Sequence, residues 1–406
     1  MKIEIRKILL VFIAIFLITN TACSKPKETK EKVVKGNLVI CADGDNDYIN
    51  FTVQEFKNKY PTVNVTVENT SDYNIENKDI MIIKDEVAKE FIDNNDESLY
   101  TLNDEEVVDI DNIKGDKLNN LNIDGKQYGV PWYTTPVAIV YNKNYINTLN
   151  VNIDSINTYG DYLALGDKLP TLGDVKLLSL SRNNLNSLLK IFLVQGNINI
   201  EKQVKGEKTL ILGDLIRGIF NKKLNRDLSS EDEAIKSFAQ GKEISLIVTP
   251  MMINKIEKNY PEAFNNIVFQ KLPALYNGSN RNVVLGGSDV FINKNSQNID
   301  AAIAFMNFIS SDYSNMKKLY DNFKVIPAHY YIYHSKDFSV GVDGAENKIY
   351  ELCTNMAIRG FNYDFYEEYR SREELFSKAI TISLDSQEEL KYIIEKLEIQ
   401  MWTNQK

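Results

Sequence analysis

Histidine, cysteine and tryptophan are scarce: the 406 residues include two, three and two of them. The histidines, His329 and His334, lie in a tyrosine-rich stretch without a standard zinc-ligand spacing, so packing or surface roles fit them better. There is no Cys-x-x-Cys, no His-Glu-x-x-His, no Gly-x-Ser-x-Gly elbow and no phosphate-binding glycine loop. These absences remove the usual signatures of nucleophilic, metal-dependent and nucleotide-dependent enzymes; no catalytic residue, metal or cofactor is expected. Neighbouring carboxylates such as Glu367 and Glu368 do not replace them. Glycoside hydrolysis needs two carboxyls ~5–9.5 Å apart across a bond, which adjacency in sequence does not provide. A surplus of basic residues is also missing, the formal net charge being −9. That argues against nucleic acid as a partner, because such binding needs cations to replace counterions.

What is present begins at the N-terminus. Lys2, Arg6 and Lys7 precede the uncharged apolar run Ile8 to Ile18, then Thr19-Asn-Thr-Ala22 and Cys23. A basic stretch, a short greasy stretch and small residues before a cut make an export signal over 1–22. The run falls short of the ~20 residues that span a bilayer. Thr21-Ala-Cys23 resembles the lipobox of bacterial lipoproteins, departing from it at Asn20, where an apolar or small residue is usual. The resemblance implies that Cys23 is lipidated, palmitate among its acyl chains, and holds the chain on a membrane. Residues 23–36, rich in lysine and glutamate without an apolar period, are expected to be a lipidated tether.

About 370 residues follow, more than one typical domain of ~100–200. Leu38-Val-Ile-Cys-Ala42 reads as a buried strand entering a turn, and Ile49, Val53, Phe56 and Tyr60 recur at helical spacing before Pro61. Val63–Val67 alternates, and Ile80–Ile83 is a second buried run. This order opens an α/β sheet with helices on its faces. Leu185, Leu188, Leu189, Phe192 and Leu193 repeat at helical spacing. Ser230 with Glu233, and Ser386 with Glu389, have the spacing of capping boxes. Cys41 and Cys353 pair or remain two buried thiols; spacing alone does not decide.

Five blocks then occur in order: Phe56-Lys-Asn-Lys-Tyr-Pro61; Asp124-Gly-Lys-Gln-Tyr-Gly-Val-Pro131 with Tyr141-Asn-Lys143; Phe238-Ala-Gln-Gly241 to Val248; Gly286-Gly-Ser-Asp-Val-Phe-Ile-Asn-Lys294; and Ser386-Gln-Glu-Glu-Leu390. Together they resemble the family 1 extracellular solute-binding proteins of ABC importers, the maltose-binding-protein-like lipoproteins. The resemblance implies a periplasmic-binding-protein-like α/β fold, two lobes joined by a multi-crossing hinge. It places an N-terminal lobe at 37–132 and 288–314, and a C-terminal lobe at 133–287 and 315–406. It further implies a monomer that captures a small solute between the lobes, most naturally a carbohydrate, and delivers it to permease subunits. A sensing lipoprotein of the same fold and a non-sugar solute stay open.

Matching the blocks nominates ligand-binding residues. Asp45 and Asn46 follow the first strand, where paired acceptors and donors suit sugar hydroxyls; the same residues also make a plain turn. Asp85 follows the Ile80–Ile83 strand, at the end where open α/β sheets bind ligands. Trp132, Tyr133 and Thr135 lie at a hinge crossing, where an aromatic face can stack on a sugar ring, and Ser288 lies at the next crossing. Tyr366 and Tyr369 belong to an aromatic run that covers either a cleft or a core. Met251 and Met252 stand where sugar-binding members commonly carry tryptophan, which implies a softer pocket.

Overall fold

The computed structural model describes residues 33–43, 47–70, 72–102, 107, 109–113, 115–182, 185–228, 230–334, 345–362, 367–386 and 388–404. Cys23 and the expected signal lie outside them. No helix among the described residues is long and apolar enough to cross a membrane.

From Lys35 onward the chain builds a nine-stranded sheet with helices on both faces. β1 (Gly36–Ala42) leads through α1 (Asp47–Lys59) to β2 (Val63–Asn69), and β1 is flanked in parallel by β2 and β3 (Ile80–Lys84). The apolar run of β3 fits a parallel strand covered on both sides, and four of its five residues are buried. α2 (Asp85–Asn95) starts directly where β3 ends, and the short α3 (Gly115–Asn119) follows. One core lies under α2, where Met81, Ile83, Phe91, Ile92 and Phe291 pack together. On α1, Phe56 meets Phe305 and Phe308 edge-on, with ring centroids 5.0 and 5.4 Å away.

β4 (Gly129–Asn142) is the long strand, 14 residues or about 45 Å at the usual rise. Next come α4 (Leu185–Gly196), α5 (Glu231–Ala239), β5 (Ser245–Val248), α6 (Pro250–Asn259) and β6 (Ile267–Lys271). β7 (Val283–Ile292) leads into α7 (Ile299–Ser311), α8 (Tyr313–Phe323) and β8 (Ile326–Pro327), and the described chain ends with α9 (Glu367–Leu384) and α10 (Leu390–Asn404). The first half of β4 pairs antiparallel with β7, which pairs with β3; the second half pairs with β5 and β6. One strand thus belongs to two bodies. In its second half, Val137, Ile139 and Tyr141 enter one core with Phe192, Phe376 and Ile380. Ala138 and Val140 enter another with Phe238, Val248, Ile253 and Met356. That alternation is the period-2 geometry of a strand covered on both faces.

The helix expected from Leu185 to Leu193 forms, and all five of those leucine and phenylalanine residues are buried. Ser230 caps α5, its hydroxyl accepting from the Glu233 amide at 3.2 Å. The second capping box does not form: Ser386 Oγ is buried without a hydrogen-bond partner, and α10 begins only at Leu390. Tertiary packing overrides the local signal, because the Leu390 side chain lies where a Cβ on Gly213 would come within 2.1 Å. Cys41 and Cys353 are separate buried thiols. Burial raises both thiol pKa values, the second to about 12.

Candidate functional site

The C-terminal ends of β1 and β3 and the middles of β4 and β7 meet where the two bodies join. Regular pairing fails here twice. Val284 pairs with Pro136 and Gly287 with Thr134, so Leu285 and Gly286 oppose Thr135 alone. Ser288 pairs with Tyr133 but Asp289 with Pro131, so Trp132 is the extra residue of a bulge in β4. Pro131 and Pro136 have no amide hydrogen to give to the ladder, which suits an interrupted stretch. On the far side Ile326 and Pro327 of β8 pair with Thr134 and Tyr133.

The bulge has a chemical consequence. In a regular strand neighbouring side chains point to opposite faces. Here Trp132 and Tyr133 touch each other edge-on, centroids 5.3 Å apart, and both touch Tyr48 of α1 at 5.6 and 5.8 Å. The Tyr133 hydroxyl lies 3.1 Å from that of Tyr48 and accepts from Ser288 Oγ at 3.2 Å. Three rings and a chain of three hydroxyls therefore converge. Trp132 is 2% exposed, which makes it part of the packing as well as of the site. Burial, with the neighbouring Tyr133, raises the Tyr48 phenol well above its ordinary pKa and keeps it a hydrogen-bond donor. Thr135, opposite the Leu285–Gly286 bulge, is half-buried, and Thr134 is buried.

A charged group lies beside the rings. Lys117 of α3 is 4% exposed, and its ammonium is 2.5 Å from Asp85 Oδ2. It also donates to the carbonyls of Tyr133 at 3.0 Å and Gly286 at 3.3 Å. Asp289 completes the group: burial raises its carboxyl well above the carboxylate range, and the Asp85 charge adds to this. Asp85 is raised by burial too, but the Lys117 ammonium opposes that. The two carboxyls thus lie buried together beside one ammonium. At the end of β1, Asp43 accepts from the Tyr73 hydroxyl at 3.0 Å and pairs with Lys84 at 2.6 Å.

Across the junction α2 reaches α4 and α9. Glu86 pairs with Lys190 at 2.9 Å, and Glu90 with Arg370 at 3.0 Å. Exposed pairs like these contribute about 0–1 kcal/mol each. Next to them Glu373 is 4% exposed, and its carboxyl is pushed up to about 7 by burial, the Glu86 charge adding and the Lys190 charge opposing.

The junction brings together Asp85, Trp132, Tyr133, Thr135 and Ser288. Asp45, Asn46 and Tyr366 lie outside the described residues. Tyr369 stands in α9 beside Arg370, the residue that touches α2. Met252, by contrast, packs into the core under α6. Sequence reasoning missed Lys117, Asp289 and Tyr48. Asp289 lay inside a matched block, whereas Lys117, in a five-residue helix between loops, carried no signal. His329 is buried, and burial holds its imidazole below the ordinary pKa, hence neutral near pH 7. Among the described residues no group of three or more His, Cys, Asp or Glu side chains could hold a metal ion.

Comparison with known proteins bears on this geometry. A family model described as bacterial extracellular solute-binding protein matches residues 52–342. An arabinooligosaccharide-binding protein of Bacillus subtilis (strain 168) is 24% identical over 221 residues, 52% of this chain and 51% of that protein. A lactose-binding protein of Rhizobium radiobacter is 20% identical over 240 residues, 57% of this chain and 56% of that protein. The chain thus spans about half the length of the curated relatives it matches. Among solved structures, the GacH receptor of Streptomyces glaucescens, studied unliganded and with acarbose, superposes with a TM-score of 0.75 at 16% identity, covering 90% of this chain and 97% of that one. Maltose-bound T. maritima MalE3 gives 0.73 at 14% identity, covering 90% and 99%. These likenesses establish the two-lobed binding-protein fold.

Proposed function

Because the chain belongs to the bacterial extracellular solute-binding protein family, we propose that it captures a small carbohydrate at the junction of its lobes and passes it to the permease subunits of an ABC importer. The family and the relatives matched are binding proteins, and the family works outside the cytoplasm. The observation that carries the carbohydrate reading is the bulge in β4, which sets Trp132 and Tyr133 against Tyr48 with three hydroxyls in a chain. Aromatic faces suit the C–H faces of a sugar, and hydroxyls that both donate and accept suit its polar rim. The names of the relatives, which bind arabinooligosaccharide and lactose, support the same class. The lobe limits are proposed at 132/133, 287/288 and 314/315, and the protein is proposed to work as a monomer.

The test is a thermal-shift screen of the body from residue 24 onward against arabino-oligosaccharides, lactose, maltose and monosaccharides, with amino acids and polyamines as controls. A sugar at a hundredfold excess over its Kd adds about 2.7 kcal/mol to folding, a rise of about 3–4 °C for a body of this size. A shift only with a control compound replaces the solute class. No shift with any compound removes the carbohydrate reading and favours a sensing lipoprotein.

We also propose that Cys23 carries the lipid anchor. In the host, Cys23→Ala is expected to release the protein from the membrane fraction and to abolish fatty-acid labelling. Label that persists in the variant would contradict the anchor.

A further inference from the structure

Both strands that pass between the lobes are irregular where they cross. β7 leaves Leu285 and Gly286 opposite one residue of β4, and β4 leaves Trp132 outside the register. Gly286 has φ +72° and Gly287 φ +142°, backbone that side-chain-bearing residues rarely adopt. Two adjacent bulges should make this crossing soft. Yet the carbonyls of Tyr133 on β4 and Gly286 on β7 are tied to one atom, the Lys117 ammonium, at 3.0 and 3.3 Å.

An ammonium has three N–H donors and no acceptor. Lys117 gives one to Tyr133 O, one to Gly286 O and one to Asp85 Oδ2 at 2.5 Å, so every donor is used. A buried charge persists only when paired and hydrogen-bonded, and this one is both. Gly287 shows how close the fit is. A Cβ there would lie 2.1 Å from Tyr133 O and 2.5 Å from Lys117 Nζ. The anchor and its counter-ion both come from the first lobe, from α3 and the start of α2. The tie therefore holds the crossing strands to that lobe and leaves the bend beyond it, at Leu285.

We propose that Lys117 is the positioning residue of the hinge, clamping both crossing strands to the first lobe through Tyr133 O and Gly286 O with Asp85 as counter-ion, and so setting the balance between open and closed lobes. This rests on reading the junction as a solute-capture site. It adds a determinant of capture that does not touch the solute.

The experiment measures the distance between spin labels at Glu97→Cys and Lys236→Cys, both exposed positions, in the solute-free body from residue 24 onward, where the two native thiols are buried. Because no solute is needed, the outcome is independent of the carbohydrate reading. Lys117→Met is expected to broaden the distance distribution and add a longer component, with a tenfold or greater loss of apparent affinity for any sugar found by the thermal screen. Asp85→Asn, which leaves both crossing strands intact but removes the counter-ion of the ammonium, is expected to broaden it in the same way and decides the question if Lys117→Met does not fold. Lys222→Met, which removes an exposed ammonium paired at the surface with Asp167, is expected to leave the distribution unchanged. A wild-type distribution in a folded Lys117→Met or Asp85→Asn protein overturns the proposal. So does a broadened distribution in Lys222→Met, because the effect is then not specific to the clamp.

Discussion

Trp132→Ala is expected to destabilise the protein by about 3–5 kcal/mol and to weaken binding of the proposed sugar at least a hundredfold. The stability figure is that of a large buried aromatic removed from a core. Trp132 is 2% exposed and in ring contact with Tyr48 and Tyr133, so its removal opens a void that those side chains only partly fill. The binding loss follows because the void lies where Tyr48 and Tyr133 are held hydroxyl to hydroxyl, 3.1 Å apart. A tyrosine free to tilt into the cavity no longer offers its oxygen at a fixed point. From sequence alone, this substitution is expected to spare the fold; the burial of the ring changes that expectation. Trp132→Phe, which keeps a ring, should recover most of the stability. Urea unfolding and titration calorimetry with a sugar that shifts the melting temperature separate the two effects. Lost stability with unchanged affinity would reduce Trp132 to a packing residue.

Arg226→Met should destabilise by a similar amount, about 3–5 kcal/mol. Glu243 is 0% exposed, and its carboxylate accepts from Arg226 Nε and Ser237 Oγ, each at 2.8 Å. The guanidinium also donates to the Asp174 carbonyl at 2.8 Å and the Lys242 carbonyl at 3.3 Å, fixing the loops on either side. Burial already raises the Glu243 carboxyl, and Arg226 is among the groups opposing this. Without the cation, Glu243 takes up a proton when folded and releases it on unfolding. The folded state then binds more protons than the unfolded one, so the variant's stability falls as pH rises. The loss should therefore be smaller at pH 5 than at pH 8. Adding Glu243→Gln should recover part of it, since a neutral amide needs no counter-charge. Denaturant midpoints at the two pH values check the sign. A loss independent of pH and unrelieved by Glu243→Gln would show that the guanidinium matters only through the loops.

Much of the first lobe was legible because its signals are local. Apolar runs such as Leu38–Ala42 and Ile80–Ile83 are read directly as covered strands, and Ile49, Val53 and Phe56 as one helix face. α4 was legible for the same reason, since Leu185, Leu188, Leu189 and Phe192 repeat at the helical period. The cap at Ser386 misled because a hydroxyl and a carboxylate at the right spacing are only a local preference. The seating of Leu390 on Gly213 starts the helix three residues beyond the position that a Ser386 cap implies. Trp132 and Ser288 were nominated through matched blocks, and Asp85 by its place after the Ile80–Ile83 strand, and the junction does gather them. What each one touches was not legible, since residues 128–136, rich in aromatics and prolines, read as a loop feeding a strand at Val137–Tyr141, whereas the sheet takes them into β4 itself.

The sequence by itself determined the α/β character and the family, and it nominated several residues at the crossing, because each is written in periodicity or the order of short blocks. Only the tertiary structure decided that Trp132 is a bulged residue sharing a face with Tyr133, and that Cys41 and Cys353 stay apart. It also decided that Lys117 joins Asp85, Tyr133 and Gly286, a carbonyl 169 positions further along the chain. Periodicity reports which face of an element is apolar. The partner of a buried charge depends on which distant backbone the folded sheet brings within 3 Å of it.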